Sequence, residues 1–265
     1  MPEVSTQVVN NAKRLVRRII NLFGLEICRF NPTGSGRARL ARFLSSKGVS
    51  LVFDVGANTG QYARQLRDTG YRGRIISFEP LSVPHHKLRK LAAKDPKWIV
   101  APRVAVGETD RMVAINVAEN SVFSSVLPGR PIVTRVDPAS RFVAVEHVRM
   151  VTLDNAAQTY LLPGDTAFLK VDVQGYEKKV LEGAKSLVRS VVGVQLELSL
   201  VSHYEGDLLF RPMIDFMESL GLYVRSFSSV FADETTGREL QVDVIFGRKD
   251  SAEGWGENSS SRSRA

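Results

Sequence analysis

From residue 51 to residue 247 the sequence alternates short apolar runs with amphipathic segments, and this alternation constrains the fold most strongly. Strands that alternate with helices form a parallel sheet with helices packed on both faces. We therefore expect an α/β fold. The predicted strands are 51–55, 74–79, 98–106, 111–117, 147–152, 166–172, 192–198, 222–227 and 240–247, and the predicted helices are 60–69, 84–93, 154–160, 176–188 and 207–220.

Two turns predict hairpins within this pattern. The turn GETD (107–110) predicts that 98–106 pairs with 111–117. The turn DETTG (233–237) predicts that the last two strands also form an antiparallel pair.

The chain divides by composition into three parts. The segment NPTGSGR (31–37) reads as a linker, so we expect an N-terminal helix and linker over 1–37 and the main domain over 38–249. Residues 250–265 are too polar to pack and are expected to be disordered.

Charge and cysteine content limit the choice of partner and compartment. Of the net charge of +8, most comes from residues 1–50, which hold nine basic and two acidic side chains. The nearly neutral body argues against a nucleic-acid partner. The single cysteine, Cys28, fits a reducing compartment, and no apolar run reaches the ~20 residues of a membrane span. With no signal-peptide pattern, we expect a cytoplasmic protein.

Residues 8–23 form a predicted amphipathic helix with arginines and a lysine opposite an apolar arc. Two interpretations remain open. The apolar arc packs on the domain or on a second subunit of a homodimer, which we favour, or the helix lies on the anionic inner face of a membrane.

The turn DVGANTG (54–60) between the first strand and helix is the expected binding site, because ligands of open α/β sheets bind at the carboxyl ends of strands. It lacks the three-glycine dinucleotide pattern and a phosphate-binding lysine. Asp54 suits an amino group, and Glu79 at the second strand end suits two ribose hydroxyls. This arrangement resembles that of class I S-adenosylmethionine-dependent methyltransferases. The predicted cofactor-binding residues are Asp54, Gly56, Asn58, Gly60, Glu79 and Pro80.

Further motifs sharpen this assignment. DVGANTGQY, FEP, NSVFSSVLP, VTLD, LKVDVQGYEKKVLEGA, VQLELSL and LQVDVIF occur in an order that resembles the FkbM family of methyltransferases over roughly residues 50–248. The resemblance implies a Rossmann-like class I methyltransferase fold, with a seven-stranded, mostly parallel sheet, helices on both faces and an antiparallel last strand. One departure is Gln174, where the family usually has an acid.

The resemblance implies O-methylation of a sugar, glycolipid or polyketide-type hydroxyl. Asp172 is the first candidate for the base, with Glu197 and His203 as further catalytic candidates. Two carboxylates at adjacent strand ends also raise the possibility of bound Mg²⁺, which the sequence leaves open. The predicted substrate-binding residues are Asn120, Ser124, Ser125 and Tyr204.

Two alternative functions remain. An RNA methyltransferase would have the same cofactor-binding residues, but the nearly neutral chain after residue 50 disfavours this function. A non-catalytic protein with a degenerate methyltransferase fold is disfavoured by the retained carboxylates, but Gln174 keeps it open.

Overall fold

The computed structural model describes residues 14, 16, 18–25 and 29–249. Its strands are β1 (Leu51–Val55), β2 (Arg74–Phe78), β3 (Trp98–Val100), β4 (Ala105–Gly107), β5 (Arg111–Ala118), β6 (Phe142–Thr152), β7 (Ala167–Val171), β8 (Gly193–Ser199), β9 (Tyr223–Ala232) and β10 (Glu239–Gly247). Its α-helices are α1 (Gly36–Ser46), α2 (Gln61–Asp68), α3 (Ser82–Ala92), α4 (Pro131–Val136), α5 (Leu153–Gln158), α6 (Glu177–Glu182), α7 (Lys185–Ser190) and α8 (Phe210–Ser219).

Seven strands form the main sheet in the order β3-β2-β1-β7-β8-β10-β9. All neighbouring pairs are parallel except those of β10, which runs antiparallel to both β8 and β9. The predicted fold class and the predicted last hairpin are therefore confirmed. The strand order reverses between β1 and β7, which places the default ligand site beyond the carboxyl ends of these two strands.

The alternating side chains of the central strands bury both faces of the sheet. Leu51, Phe53 and Val55 of β1 belong to one apolar core, whereas Val52 belongs to the core on the opposite face. Because both faces are covered, these strands read as continuous apolar runs, and a polar residue within them is conspicuous.

The predicted hairpin of 98–106 with 111–117 is wrong. Residues 98–100 and 105–107 are separate strands, β3 in the main sheet and β4 in a second sheet of order β4-β6-β5. There β6 pairs in parallel with β4 and antiparallel with β5. The sequence pattern did not indicate this because β6 begins at Phe142, before the predicted start at 147, and its early residues are exposed.

The predicted helix 176–188 is two helices, α6 and α7, separated by Gly183 and Ala184. A Cβ atom at Gly183 would lie 1.9 Å from the carbonyl oxygen of Gly107. The chain bends where α6 meets the second sheet, and only glycine permits that approach.

Helix α1 begins at Gly36, close to the predicted domain start, and is tied to β9. The guanidinium of Arg39 donates to Ser226 Oγ at 2.6 Å and to the Phe227 carbonyl oxygen at 2.9 Å. Residues 1–13 and 250–265 lie outside the described residues, so the predicted tail and much of the predicted 8–23 helix do too. Residues 14, 16 and 18–22 are helical. In the described ranges, no helix combines the length and apolarity needed to cross a bilayer.

Candidate functional site

A cavity of about 440 Å³ opens beyond the carboxyl ends of β1, β2, β7 and β8. Its volume lies within the range of small-molecule sites, about 300–1,000 Å³. Eight predicted site residues line it, namely Gly56, Asn58, Glu79, Pro80, Ser124, Ser125, Asp172 and Glu197. Five do not, namely Asp54, Gly60, Asn120, His203 and Tyr204.

The first turn forms one wall of this cavity. Gly56 has a φ of 80°, and a Cβ atom there would lie 1.7 Å from the carbonyl oxygen of Asp172. Only glycine therefore lets the end of β1 approach the end of β7. Asn58 is also left-handed, and its Nδ2 donates to Ser121 Oγ at 3.0 Å, which ties the turn to the 120–128 loop.

Glu79 is fixed at the end of β2 by backbone groups. Its Oε2 accepts from the Asn58 amide and its Oε1 from the Leu81 amide, each at 2.8 Å. Burial raises the pKa of Glu79 to about 7, against the lowering effect of those two hydrogen bonds. Since a carboxylate has about four acceptor positions, each oxygen keeps one for a ligand hydroxyl. This geometry fits the ribose of S-adenosylmethionine.

Asp54 lies beneath the cavity, in a row of buried polar side chains that crosses neighbouring strands. Its Oδ2 accepts from Ser77 Oγ at 3.1 Å, and Trp98 Nε1 donates to the same hydroxyl at 3.0 Å. Its Oδ1 lies 3.4 Å from Lys170 Nζ, an ion pair outside hydrogen-bond geometry. Burial raises the pKa of Asp54, and Lys170 opposes that rise. Asp54 therefore fixes Lys170 under the site.

Lys170 connects this row to Asp172, whose Oδ2 lies 3.3 Å from Nζ. The two acidic partners raise the pKa of Lys170, although burial opposes them. The Asp172 side chain is 29% exposed, so it reaches the cavity. Lys170 forms an ion pair with it from beneath the cavity.

Glu197 lies on the adjacent strand, β8, and its pKa is shifted. Burial, followed by the charges of Asp172, Asp243 and Glu177, raises its pKa well above the ordinary value. Gln241 Nε2 donates to its Oε2 at 3.0 Å. Burial thus favours the protonated form of Glu197.

The side-chain amide of Gln174 lies between these two carboxyl groups. Its Nε2 donates to Asp172 Oδ1 at 2.9 Å and to Glu197 Oε2 at 2.7 Å. The position at which a cation would bridge Asp172 and Glu197 is therefore taken by an N–H group. Over the part of the chain that the structure describes, no three His, Cys, Asp or Glu side chains converge as metal ligands. The Mg²⁺ hypothesis is not supported.

Tyr204 and His203 lie behind the cavity. The Tyr204 hydroxyl is 2.9 Å from Gln174 Oε1 and 3.0 Å from the Phe123 carbonyl oxygen. His203 is 1% exposed, and neither ring nitrogen has a hydrogen-bond partner among the described residues. Burial lowers the pKa of His203. The structure does not bring either ring to the cavity.

The 120–128 loop covers the cavity, and its polar side chains bond mainly to the protein itself. Asn120 caps a 3₁₀ turn through Val122 N, and Ser124 Oγ accepts from Ala118 N at 3.0 Å. Ser125 Oγ donates to the Gln174 carbonyl oxygen at 2.6 Å. These contacts hold the loop over the strand ends.

Several lining residues were not singled out in the sequence. They are Tyr62, Lys170, Gln195, Gln241 and Asp243. The signal was present, because LKVDV, VQLEL and LQVDV each place two polar residues at alternate positions in an apolar strand. These strands are the neighbours β7, β8 and β10, so the polar pairs share one face at one end of the sheet.

A family model and several solved structures match this chain. The model of the methyltransferase FkbM domain matches residues 54–222. No curated protein matches the chain.

Similar solved structures include three that are each less than 15% identical to this chain. The fibrillarin/Nop5p complex is 14% identical, covers 79% of each chain and gives a TM-score of 0.44. Precorrin-6y C5,15-methyltransferase from Geobacter metallireducens is 11% identical over 80% of this chain and 89% of its own, with a TM-score of 0.40. An rRNA methylase from Streptococcus thermophilus is 10% identical over 82% and 98%, with a TM-score of 0.43.

Proposed function

Since this chain belongs to the FkbM family of methyltransferases, we propose that it transfers the methyl group of S-adenosylmethionine to a hydroxyl of a sugar, glycolipid or polyketide-type acceptor. The observation that carries the proposal is the pair of carboxyl groups, Asp172 and Glu197, in the same cavity as Glu79. One side of the cavity thus offers a ribose site, and the other offers two carboxyl groups to an alcohol.

The class I fold implies S-adenosylmethionine, which supplies an electrophilic methyl group when bound. Glu79 would hold its ribose hydroxyls, and the Gly56–Asn58 turn would lie against its polar end. The fit rests on the free acceptor positions of Glu79 and on the apolar wall of Leu81, Val104 and Val106.

The two carboxyl groups have separate roles in this proposal. Asp172 pairs with Lys170 and reaches the cavity, so it accepts the proton of the attacking hydroxyl. Burial raises the pKa of Glu197 and favours its protonated form, whose carboxyl proton can donate to the acceptor and orient it. A hydroxyl placed between them would have one hydrogen-bond acceptor and one donor.

The acceptor side combines a polar floor with an apolar wall. Gln195, Gln241 and Asp243 supply amide and carboxyl groups on the floor, and Phe123 and Phe231 form the wall. Several hydrogen-bonding groups beside an apolar surface suit a ring with several hydroxyls.

The test is methyl transfer from isotopically labelled S-adenosylmethionine to a panel of glycosides, glycolipids and hydroxylated lactones, with RNA as a further substrate. We expect label on an acceptor oxygen, and its loss in Asp172→Asn. Glu218→Gln, on the exposed face of α8, is the matched control. Label on RNA would refute the proposed acceptor class, and label on an acceptor nitrogen or carbon would refute O-methylation.

A second proposal concerns the N-terminal segment. Val16, Ile19 and Phe23 lie on one side of the helix and are 51%, 47% and 77% exposed. Arg14 and Arg18 lie one turn apart on the other side. We propose that this segment rests on an anionic lipid surface, because exposed apolar side chains with flanking arginines complement such a surface.

Each basic residue near an anionic membrane contributes about 1 kcal/mol, so attachment should be reversible and sensitive to salt. The protein should sediment with vesicles containing phosphatidylglycerol at low salt but not with neutral vesicles. Ile19→Ser combined with Phe23→Ser should abolish sedimentation. If the protein is instead a dimer that these substitutions dissociate, the helix packs against a second copy.

A further inference from the structure

Gln174 adopts a backbone conformation that its residue type disfavours. Its φ is 56°, in the left-handed region, where glycine and asparagine are the usual residues. The side chain is buried at the cavity, between the ends of β7 and β8. A strained residue at a ligand site points to a function of its side chain.

The hydrogen bonds of Gln174 determine which way its amide points. One N–H donates to Asp172 and the other to Glu197, while Oε1 lies 2.9 Å from the Tyr204 hydroxyl. The reverse orientation would place the amide oxygen against Asp172 Oδ1 and Glu197 Oε2, which now accept from Nε2. The Gln174 carbonyl oxygen is also held, by Ser125 Oγ.

We propose that Gln174 is the positioning residue of this site and that its amide takes the place of a divalent cation between Asp172 and Glu197. This inference rests on the proposed methyl transfer. The amide fixes the separation of the two carboxyl groups and offers each a partial positive charge. Methyl transfer by this chain then needs no divalent metal.

Most of the titratable groups around Asp172 and Glu197 are acidic, and a neutral group between the two carboxyls adds no further negative charge. Lys170 faces them from β7, Asp54 from β1, Asp243 from β10, Glu177 from α6 and Tyr204 from the following loop. Lys170 is the one cation among these groups, and it contacts Asp172 and Asp54. A third carboxylate at position 174 would complete a set of oxygen ligands suited to Mg²⁺ or Mn²⁺.

Three substitutions separate this role from a purely structural one. Gln174→Asn suits the left-handed backbone but is too short to bridge, so it should keep the melting temperature and lower turnover about tenfold or more. Gln174→Met removes both N–H donors without adding charge. Because those donors favour the ionised carboxylates, the acid limb of the activity–pH profile should move to higher pH. Affinity for S-adenosylmethionine should change little in either variant.

Gln174→Glu tests the bridging position directly, independently of activity. A Mn²⁺ titration followed by electron paramagnetic resonance should show one bound ion per chain, at least about tenfold tighter than in the wild type. Wild-type transfer should be unaffected by EDTA.

The proposal is overturned if EDTA abolishes wild-type transfer and Mg²⁺ restores it. It is also overturned if Gln174→Asn retains full turnover, or if folded Gln174→Glu binds Mn²⁺ no better than the wild type. A wild type that methylates no hydroxyl would instead contradict the proposed function, and the Mn²⁺ titration would still decide whether position 174 substitutes for a cation.

Discussion

The sharpest prediction concerns Glu79 and the pH dependence of cofactor binding. With a pKa of about 7, this carboxyl is about one tenth ionised at pH 6 and about nine tenths at pH 8. Ribose hydroxyls donate hydrogen bonds, so they prefer the ionised form. Affinity for S-adenosylmethionine should therefore rise roughly tenfold from pH 6 to pH 8.

Glu79→Gln should remove this rise, because glutamine does not titrate. It should also weaken binding at pH 8 by about 1–3 kcal/mol, the cost of losing a charged acceptor. One backbone donor, Asn58 N or Leu81 N, would then face the NH₂ group of glutamine.

Isothermal titration calorimetry at pH 6, 7 and 8 measures both effects, with Glu218→Gln as the surface control. If wild-type affinity is flat over this range, or if Glu79→Gln keeps the wild-type pH dependence, the carboxylate does not bind the cofactor in the way argued.

Three further predictions follow from the same contacts. Asp172→Asn should keep the fold and most cofactor affinity but lower turnover by ~10²-fold or more, as measured by steady-state kinetics at saturating acceptor. Gly56→Ala should destabilise the protein by about 3 kcal/mol or more in urea unfolding, because its Cβ would overlap the Asp172 carbonyl oxygen. Lys170→Met should cost about 3–5 kcal/mol near pH 7, since it leaves Asp54 and Asp172 without their cation. That cost should shrink as the pH falls, because burial raises the pKa of Asp54 and the protonated carboxyl no longer needs a cation. An equal loss at pH 7 and pH 4 would show that the ion pair contributes little.

The sequence by itself determined the α/β class, most strands of the main sheet and the place of the site. Local pattern was sufficient for these features, because strand and helix periodicities are properties of neighbouring residues. The positions of Glu79, Asp172 and Glu197 at one sheet edge followed from the rule that parallel strands end on the same side. The polar alternation in β7, β8 and β10 would also have indicated Lys170 and Asp243.

Only the tertiary structure decided which side chains meet. The second sheet depends on β6 pairing with two strands whose partner residues lie 24 to 45 residues earlier in the chain. Gln174 looked like a departure from the family pattern, and its bridge to Glu197 and Tyr204 spans 23 and 30 residues. His203 and Tyr204 looked like pocket residues, but the chain after β8 turns both rings into the interior. Such contacts depend on the direction of each side chain and on the packing of distant segments, which no local periodicity records.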